Sequence, residues 1–191
     1  MQLMKSFKLL IIYTLGTGIV QSAIQSHPYR DRYVKDTFGR NADARVGAGA
    51  AIQHIRNSPH EWGRGVSGFG KRLGSAFGEH VIKNSIQFGV ASVRHEQLGY
   101  RRSGQQGFGA RMKYALISTV VTHKTTTGKR TPALGRISGD FGSGLISRTW
   151  QPARLHTLGS GFATAGIMLG VDAGSNVLRE FWPEIRHPHS H

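Results

Sequence analysis

Few residues in this chain have chemistry to offer. Ten acidic side chains stand against 25 Lys and Arg in 191 residues, so paired-carboxylate catalysis has little to draw on. Asp172 is the most distinctive of the acids. It lies between Gly170 and Gly174, and the positions three and four residues away hold Met168, Leu169, Ser175 and Asn176. On a helix it would have no basic neighbour of its own. A carboxylate buried there needs a cation from another helix, with Arg111 and Arg148 as the expected sources, or else it stays protonated. Asp172 therefore reads either as a functional ionisable group in a helix interface or as a structural residue, solvent-facing or ion-paired. Asp140 has Arg136 one turn back, so a local pair is expected there.

The remaining chemistry is thin. His95 and Glu96 are adjacent in a polar stretch and would make an acid–base pair only if a cleft enclosed both. Gly104-Gln-Gln-Gly107-Phe-Gly109 could cradle an anion ahead of a helix, but its spacing matches no dinucleotide fingerprint, and a flexible loop fits it as well. His187, His189 and His191 offer either a loose divalent-metal tract or a solvated tail. Nucleophile elbow, Walker loop and His-Glu-x-x-His are absent. There is no cysteine, so neither disulfide nor thiolate chemistry is open to the chain. The sequence thus points to no catalytic residue, no cofactor and no metal, and favours packing and binding over catalysis.

The elements that must position these residues are announced by glycine, which makes up 26 of the 191 positions. Gly70, Gly74 and Gly78 fall four apart; so do Gly135 and Gly139, followed by Ser143, and Gly166, Gly170 and Gly174. Four residues is about one helical turn. Glycine inside a helix costs about 1 kcal/mol relative to alanine, and the usual return is close backbone approach between helices. These three sets are expected to be helix-packing faces, within the chain or between subunits.

Apolar periodicity and punctuation place the helices. Asp31/Lys35, Arg32/Asp36 and Asp36/Arg40 support a weak helical pattern near residues 37–57, after a polar, linker-like 27–36. Ser58, Pro59 and Glu61 resemble a capping box opening a long helix to about Val93, with Glu79/Lys83 as an i,i+4 pair on its polar side. A polar loop over 94–108 precedes a short helix from about Ala110 to Thr122. The β-branched stretch around Gly128 suits a short hairpin near 120–132. Further helices are predicted over Ala133–Trp150 and Leu155–Phe181, the last stopped by Pro183. The fold class expected is mainly α, a bundle of four to five helices packed through small-residue faces. Thr157 to Val171 is free of charge, and a helix reaching Leu178 would be long enough to cross a bilayer. A mean hydropathy of −0.30 and Lys83 in the other long helix favour a soluble or peripheral bundle.

Residues 1–26 carry the three-part pattern of a secretory signal: Lys5 and Lys8, an uncharged run from Leu9 to Val20, then Ser22, Ala23 and Ser26. The domains expected are this signal, a single helical domain over 27–186 and a disordered His-containing tail over 187–191. Removing Lys5 and Lys8 from the net charge of +15 leaves +13. Such a surface attracts polyanions. For an exported chain, anionic lipid or another envelope polyanion is the expected partner and nucleic acid is not. Homo-oligomerisation through the glycine faces is a further expectation.

The set Phe69-Gly-Lys-Arg-Leu-Gly-Ser-Ala-Phe77, Arg94-His-Glu, Gly107-Phe-Gly-Ala-Arg111, Ile146-Ser-Arg-Thr-Trp150 with Pro152, and Asn176-Val-Leu-Arg-Glu-Phe-Trp-Pro183 resembles a family of uncharacterised exported bacterial envelope proteins. The resemblance spans roughly residues 60–186 and implies a setting in a bacterial envelope. It carries no activity or site residues. Two roles follow: an exported, envelope-associated structural or interaction protein working through its glycine faces, or a soluble periplasmic binder of an anionic ligand through its basic surface.

Overall fold

A computed structural model describes residues 27–186. The signal-like segment 1–26 and the tail with His187, His189 and His191 lie outside the described residues. The chain is mainly helical. Helix α1 (His27–Phe38) is followed after Gly39 by α2 (Arg40–Ile55), then α3 (Val66–Arg94) and α4 (Phe108–Ile117). Strands β1 (Val121–His123) and β2 (Arg130–Pro132) form an antiparallel hairpin in which Thr122 faces Thr131. Helices α5 (Leu134–Ile146) and α6 (Leu158–Arg186) complete the bundle. Counting α1 and α2 as one rod bent at Gly39 gives five helical rods and a short hairpin, the architecture the periodicity predicts. None of the described helices is long and apolar enough to cross a membrane, α6 included.

The long α3 is the centre of the bundle. The bent α1–α2 rod packs on one side of it and α5 on the other, while α6 packs against α5 and α4. The buried apolar side chains are nearly all alanine: Ala42, Ala50, Ala91, Ala115, Ala133 and Ala165, joined by Val46 and Phe88. Ala42, Val46 and Ala50 form one i, i+4, i+8 stripe of α2. So small a core brings the helix axes close. Gly135 and Gly139 lie at the closest approach. A Cβ on Gly135 would sit 2.8 Å from the Gln87 carbonyl oxygen, and one on Gly139 would sit 2.8 Å from that of Lys83. Packing of α5 on α6 uses Gly144, whose Cβ would meet the Gly161 carbonyl oxygen at 2.6 Å.

The other glycine sets pack against no backbone among the described residues. A Cβ on Gly70, Gly74, Gly166, Gly170 or Gly174 would meet nothing within 4 Å, and at Gly78 it would only touch the Trp150 ring at 3.6 Å. A four-residue step specifies that residues share a face, not that the face is covered. On α6 the inward face is instead the one with Gly161, Ala165, Asn176 and Glu180.

The ends of several elements also differ from expectation. Segment 27–36 is the first helix, tied down where Tyr29 donates to the Glu96 carbonyl at 3.1 Å and Tyr33 meets Ser85 at 3.0 Å. Ser58 caps nothing: a cis Ser58–Pro59 peptide leads into a short turn at His60–Trp62, and α3 starts at Val66. The segment 57–63 is held instead by Arg72, which is fully buried. Its guanidinium donates to the carbonyls of Ser58 (3.1 Å), Gly63 (2.7 Å) and Pro59 (2.7 Å) and to Asn57 Oδ1 (3.1 Å), and it lies 3.3 Å from His54 Nδ1. Four neutral oxygen acceptors stand in for a carboxylate. Helix α6 runs through Pro183 for another turn, and Arg111 holds that turn through Glu184 at 2.9 Å.

Candidate anion-binding cleft

The charged residues of the middle of α3, α5 and α6 converge. Lys83 projects from α3 inward, not along its own helix to Glu79 as the i,i+4 spacing suggests. Its ammonium lies 2.6 Å from Asp140 Oδ1 and donates to Asp172 Oδ2 at 3.0 Å. Arg136 adds a weaker contact, 3.8 Å from Asp172 Oδ2, while donating to the Ser118 and Thr119 carbonyls that end α4. Asp172 therefore does take a cation from another helix, but the cations are Lys83 and Arg136. Arg111 is committed to Glu180 and Glu184, and Arg148 to the Leu145 and His156 carbonyls. The local Arg136–Asp140 pair does not form.

Asp140 is wholly buried, and the Lys83 approach, though close, lacks hydrogen-bond geometry; neither carboxylate oxygen has a hydrogen bond among the described residues. Burial pushes its carboxyl up to about 6; the Lys83 charge opposes this and the Asp172 charge adds to it. Asp172 is half-buried and faces outward from the same cluster.

It faces a cleft of about 630 Å³, within the range of small-molecule sites. Helix α3 forms the floor, α1 and α2 one wall, and α6 the other, with residues 160, 164, 168, 172, 176 and 179 of α6 turned toward it. The spacing of those positions is one helical face. Cations dominate the lining: Arg32, Arg45, Arg56, Lys83, Arg136 and Arg179, against Asp36, Glu79 and Asp172. Arg32 is bound to Asp36 at 3.0 Å, and the Lys83–Arg136 pair is balanced by Asp140 and Asp172. Arg45, Arg56 and Arg179 have no ion-pair partner among the described residues, Arg45 and Arg179 coming from opposite walls. Burial lowers the affinity of Arg179 for its proton, and the Arg45 charge lowers it further. The charges of Asp36 and Asp172 act the other way on Arg179. Like charges gathered without a direct partner on a concave surface favour an anion there.

Two further titratable groups line the cleft. His80 lies 3.0 Å from the Asp36 carbonyl oxygen, and burial lowers its pKa, so it is uncharged at neutral pH. Glu79 is buried at one end of the cleft and accepts from Ser75 (3.1 Å) and Gln151 (2.8 Å); burial raises its pKa against these two bonds.

The other sequence-marked residues lie elsewhere. His95 is exposed in the left-handed conformation that ends α3. Glu96 is buried, with Oε1 held by Arg94 at 2.6 Å and Oε2 accepting the Gly135 N–H at 2.9 Å. It caps the start of α5, and no cleft joins it to His95. Gly104 and Gly107 belong to a loop anchored by Ser103 and Tyr100 on Glu180, and Gly109 lies in the first turn of α4, outside the lining of this cleft. No group of three or more metal-ligating side chains occurs among the described residues. No local signal marks Arg45 and Arg179 as partners in a cleft, or Arg72 as a buried cation: Arg45 and Arg179 lie on elements far apart in the chain. Comparison with family models, curated proteins and solved structures returns no match for this chain.

Proposed function

We propose that the protein binds an anionic ligand in the cleft between α2 and α6, with Arg45 and Arg179 as the recognising cations and the Lys83–Asp140–Asp172–Arg136 cluster as the rigid support behind them. The observation that carries this reading is that Arg45 and Arg179, from different helices, line one concave surface without an ion-pair partner among the described residues. An anion bridging them would relieve their repulsion and gain charge-assisted hydrogen bonds from both guanidinium groups. The signal-like segment 1–26 and the high positive charge support an exported, periplasmic or envelope-associated setting, in which phosphorylated or carboxylated envelope components supply such anions.

Inorganic pyrophosphate is a suitable first probe, followed by citrate as a carboxylate probe. A ligand at a hundred times its Kd stabilises the folded chain by about 2.7 kcal/mol, which for a domain of this length raises Tm by roughly 5–10 °C. The Arg45→Gln and Arg179→Gln variants should each lose that protection while melting near the parent temperature without ligand. Equal protection of parent and variants would place the binding elsewhere and refute the assignment.

A second reading, an envelope-associated structural role through helix assembly, has its own observation. Gly166, Gly170 and Gly174 lie open on α6 beside exposed Phe162, Ile167, Val171, Leu178 and Trp182. A second copy packed on this row would give the glycine spacing a use that the single chain does not.

A further inference from the structure

Residues 97–139 carry eight Lys or Arg and no Asp or Glu. Three of these cations are engaged: Arg102 and Arg111 with acids of α6, and Arg136 with Asp172. Arg101, Lys113, Lys124, Lys129 and Arg130 have no ion-pair partner among the described residues. Lys113 and Arg130 are brought together by the fold, since α4 and the β1–β2 hairpin line one shallow depression that includes Ala110, Lys113 and Ile117 of the helix and His123 and Arg130 of the hairpin.

The outer face of α4 repeats at helical spacing. Ala110, Lys113, Leu116, Ile117 and the following Val120 all point away from the bundle, while Ala115 and Thr119 are buried. Leu116, Ile117 and Val120 remain 47 %, 41 % and 45 % exposed. A short helix with an aliphatic outer stripe, set among unpaired cations while the acids beside it, Glu180 and Glu184, are taken by Arg111, is the composition of an interfacial helix lying on an anionic bilayer. The same features argue against other occupants. A second copy seated symmetrically on this face would press like charges together, and an aliphatic stripe offers nucleic acid nothing to stack on.

We infer that α4 and the β1–β2 hairpin form a docking surface for anionic lipid membranes, with Leu116, Ile117 and Val120 entering the headgroup boundary and Lys113, Lys124, Lys129 and Arg130 contacting lipid phosphates. This surface is separate from the cleft and does not depend on it.

Co-sedimentation of the whole chain with vesicles tests the inference. Phosphatidylcholine vesicles are compared with vesicles in which about a third of the lipid is phosphatidylglycerol. The parent protein should bind the anionic vesicles and not the neutral ones. Lys113→Gln/Arg130→Gln should weaken binding by about thirtyfold, at roughly a factor of five or six for each charge near the surface. Lys35→Gln/Lys71→Gln removes the same net charge from exposed positions of α1 and α3 and should weaken it by less than about threefold. Leu116→Ser/Ile117→Ser should abolish the binding that survives added salt. All six positions are on the surface, so the folded state is retained and is checked by circular dichroism. Equal losses in the two charge pairs would show unspecific attraction by the whole chain and overturn the inference. So would a Leu116→Ser/Ile117→Ser variant that binds vesicles normally but turns a dimer into a monomer by light scattering, or a face that selects duplex DNA over vesicles.

Discussion

Replacing Gly139 and Gly170 by alanine separates two kinds of glycine that look alike in the sequence. Both lie within helices, so each exchange gains about 1 kcal/mol of helix propensity. At Gly170 the methyl enters open space and the whole gain remains. At Gly139 it arrives 2.8 Å from the Lys83 carbonyl oxygen and 3.0 Å from Gln87 Cβ, well inside the ~3.5–4.0 Å of a comfortable contact. Neither neighbour is the free end of a flexible side chain, so α3 and α5 must move apart. Overpacking of this kind costs about 1–3 kcal/mol, and here it also disturbs the backbone that aims Lys83 at Asp140. The net expectation is a gain of about 1 kcal/mol for Gly170→Ala and a change between zero and a loss of about 2 kcal/mol for Gly139→Ala. For a domain of this length the two variants should melt roughly 2–12 °C apart. Thermal unfolding by circular dichroism at two protein concentrations measures this. A Gly139→Ala protein that melts with or above Gly170→Ala would refute the packing assignment. A Gly170→Ala protein whose melting falls in a concentration-dependent way would instead reveal a subunit contact on α6.

Two other expectations rest on buried charge. Arg72→Met should destabilise the chain by about 3–5 kcal/mol, because the Ser58, Pro59 and Gly63 carbonyls lose their donor inside the protein; Arg72→Lys should recover only part of this in urea titrations, since one ammonium cannot reach every acceptor. Asp140 should make stability fall as pH rises from about 4 to about 6. Burial first, and the Asp172 charge in addition, raise its folded pKa to about 6 from an ordinary 3.8, with Lys83 opposing. A carboxyl that holds its proton more tightly when folded contributes stability that is present below the unfolded value and lost through the folded one, here about 3 kcal/mol. Glu180 moves the opposite way. Burial pushes its carboxyl up, but hydrogen bonds from Ser103, Tyr100 and Arg111 outweigh this and hold it at about 2, so its contribution is complete above its ordinary value of 4.5. Above 4.5 Glu79, whose carboxyl burial also raises, adds to the fall, while His80, lowered by burial, opposes it. Asp140→Asn should therefore make the urea midpoint fall less steeply between pH 4 and 6; an unchanged slope would sink the assignment.

The bundle was legible because helical periodicity and the β-branched residues near 120–132 are local signals, and local signals set element type; the break at Gly39 was not read, because the charge pairs across it continue the helical spacing. What surrounds an element is not local. The spacing of Gly70, Gly74 and Gly78 is the same as that of Gly135 and Gly139, yet only the latter pair meets a neighbouring backbone. Whether a glycine row is covered depends on the rotation of its helix about its own axis, which the inward residues decide collectively: on α6, Ala165, Asn176 and Glu180 outweigh the glycines.

The charged cluster shows the same boundary between local and long-range information. That Asp172 has no basic neighbour on its own helix is visible in the sequence, and it correctly demands a cation from elsewhere. Which cation answers is set by how closely α3, α5 and α6 approach, and that follows from a core made almost entirely of alanine and glycine. With so little apolar bulk between the axes, the stem of Lys83 is long enough to cross from α3 to Asp140 on α5 and Asp172 on α6 at once. A core of leucines would hold the helices further apart, and the same lysine would point to solvent and pair with Glu79 as its spacing suggests. The small core and the buried charges are therefore one design: close packing leaves no room for large apolar side chains, and the interior is cross-linked instead by a lysine shared between two carboxylates. The cations left over line the cleft.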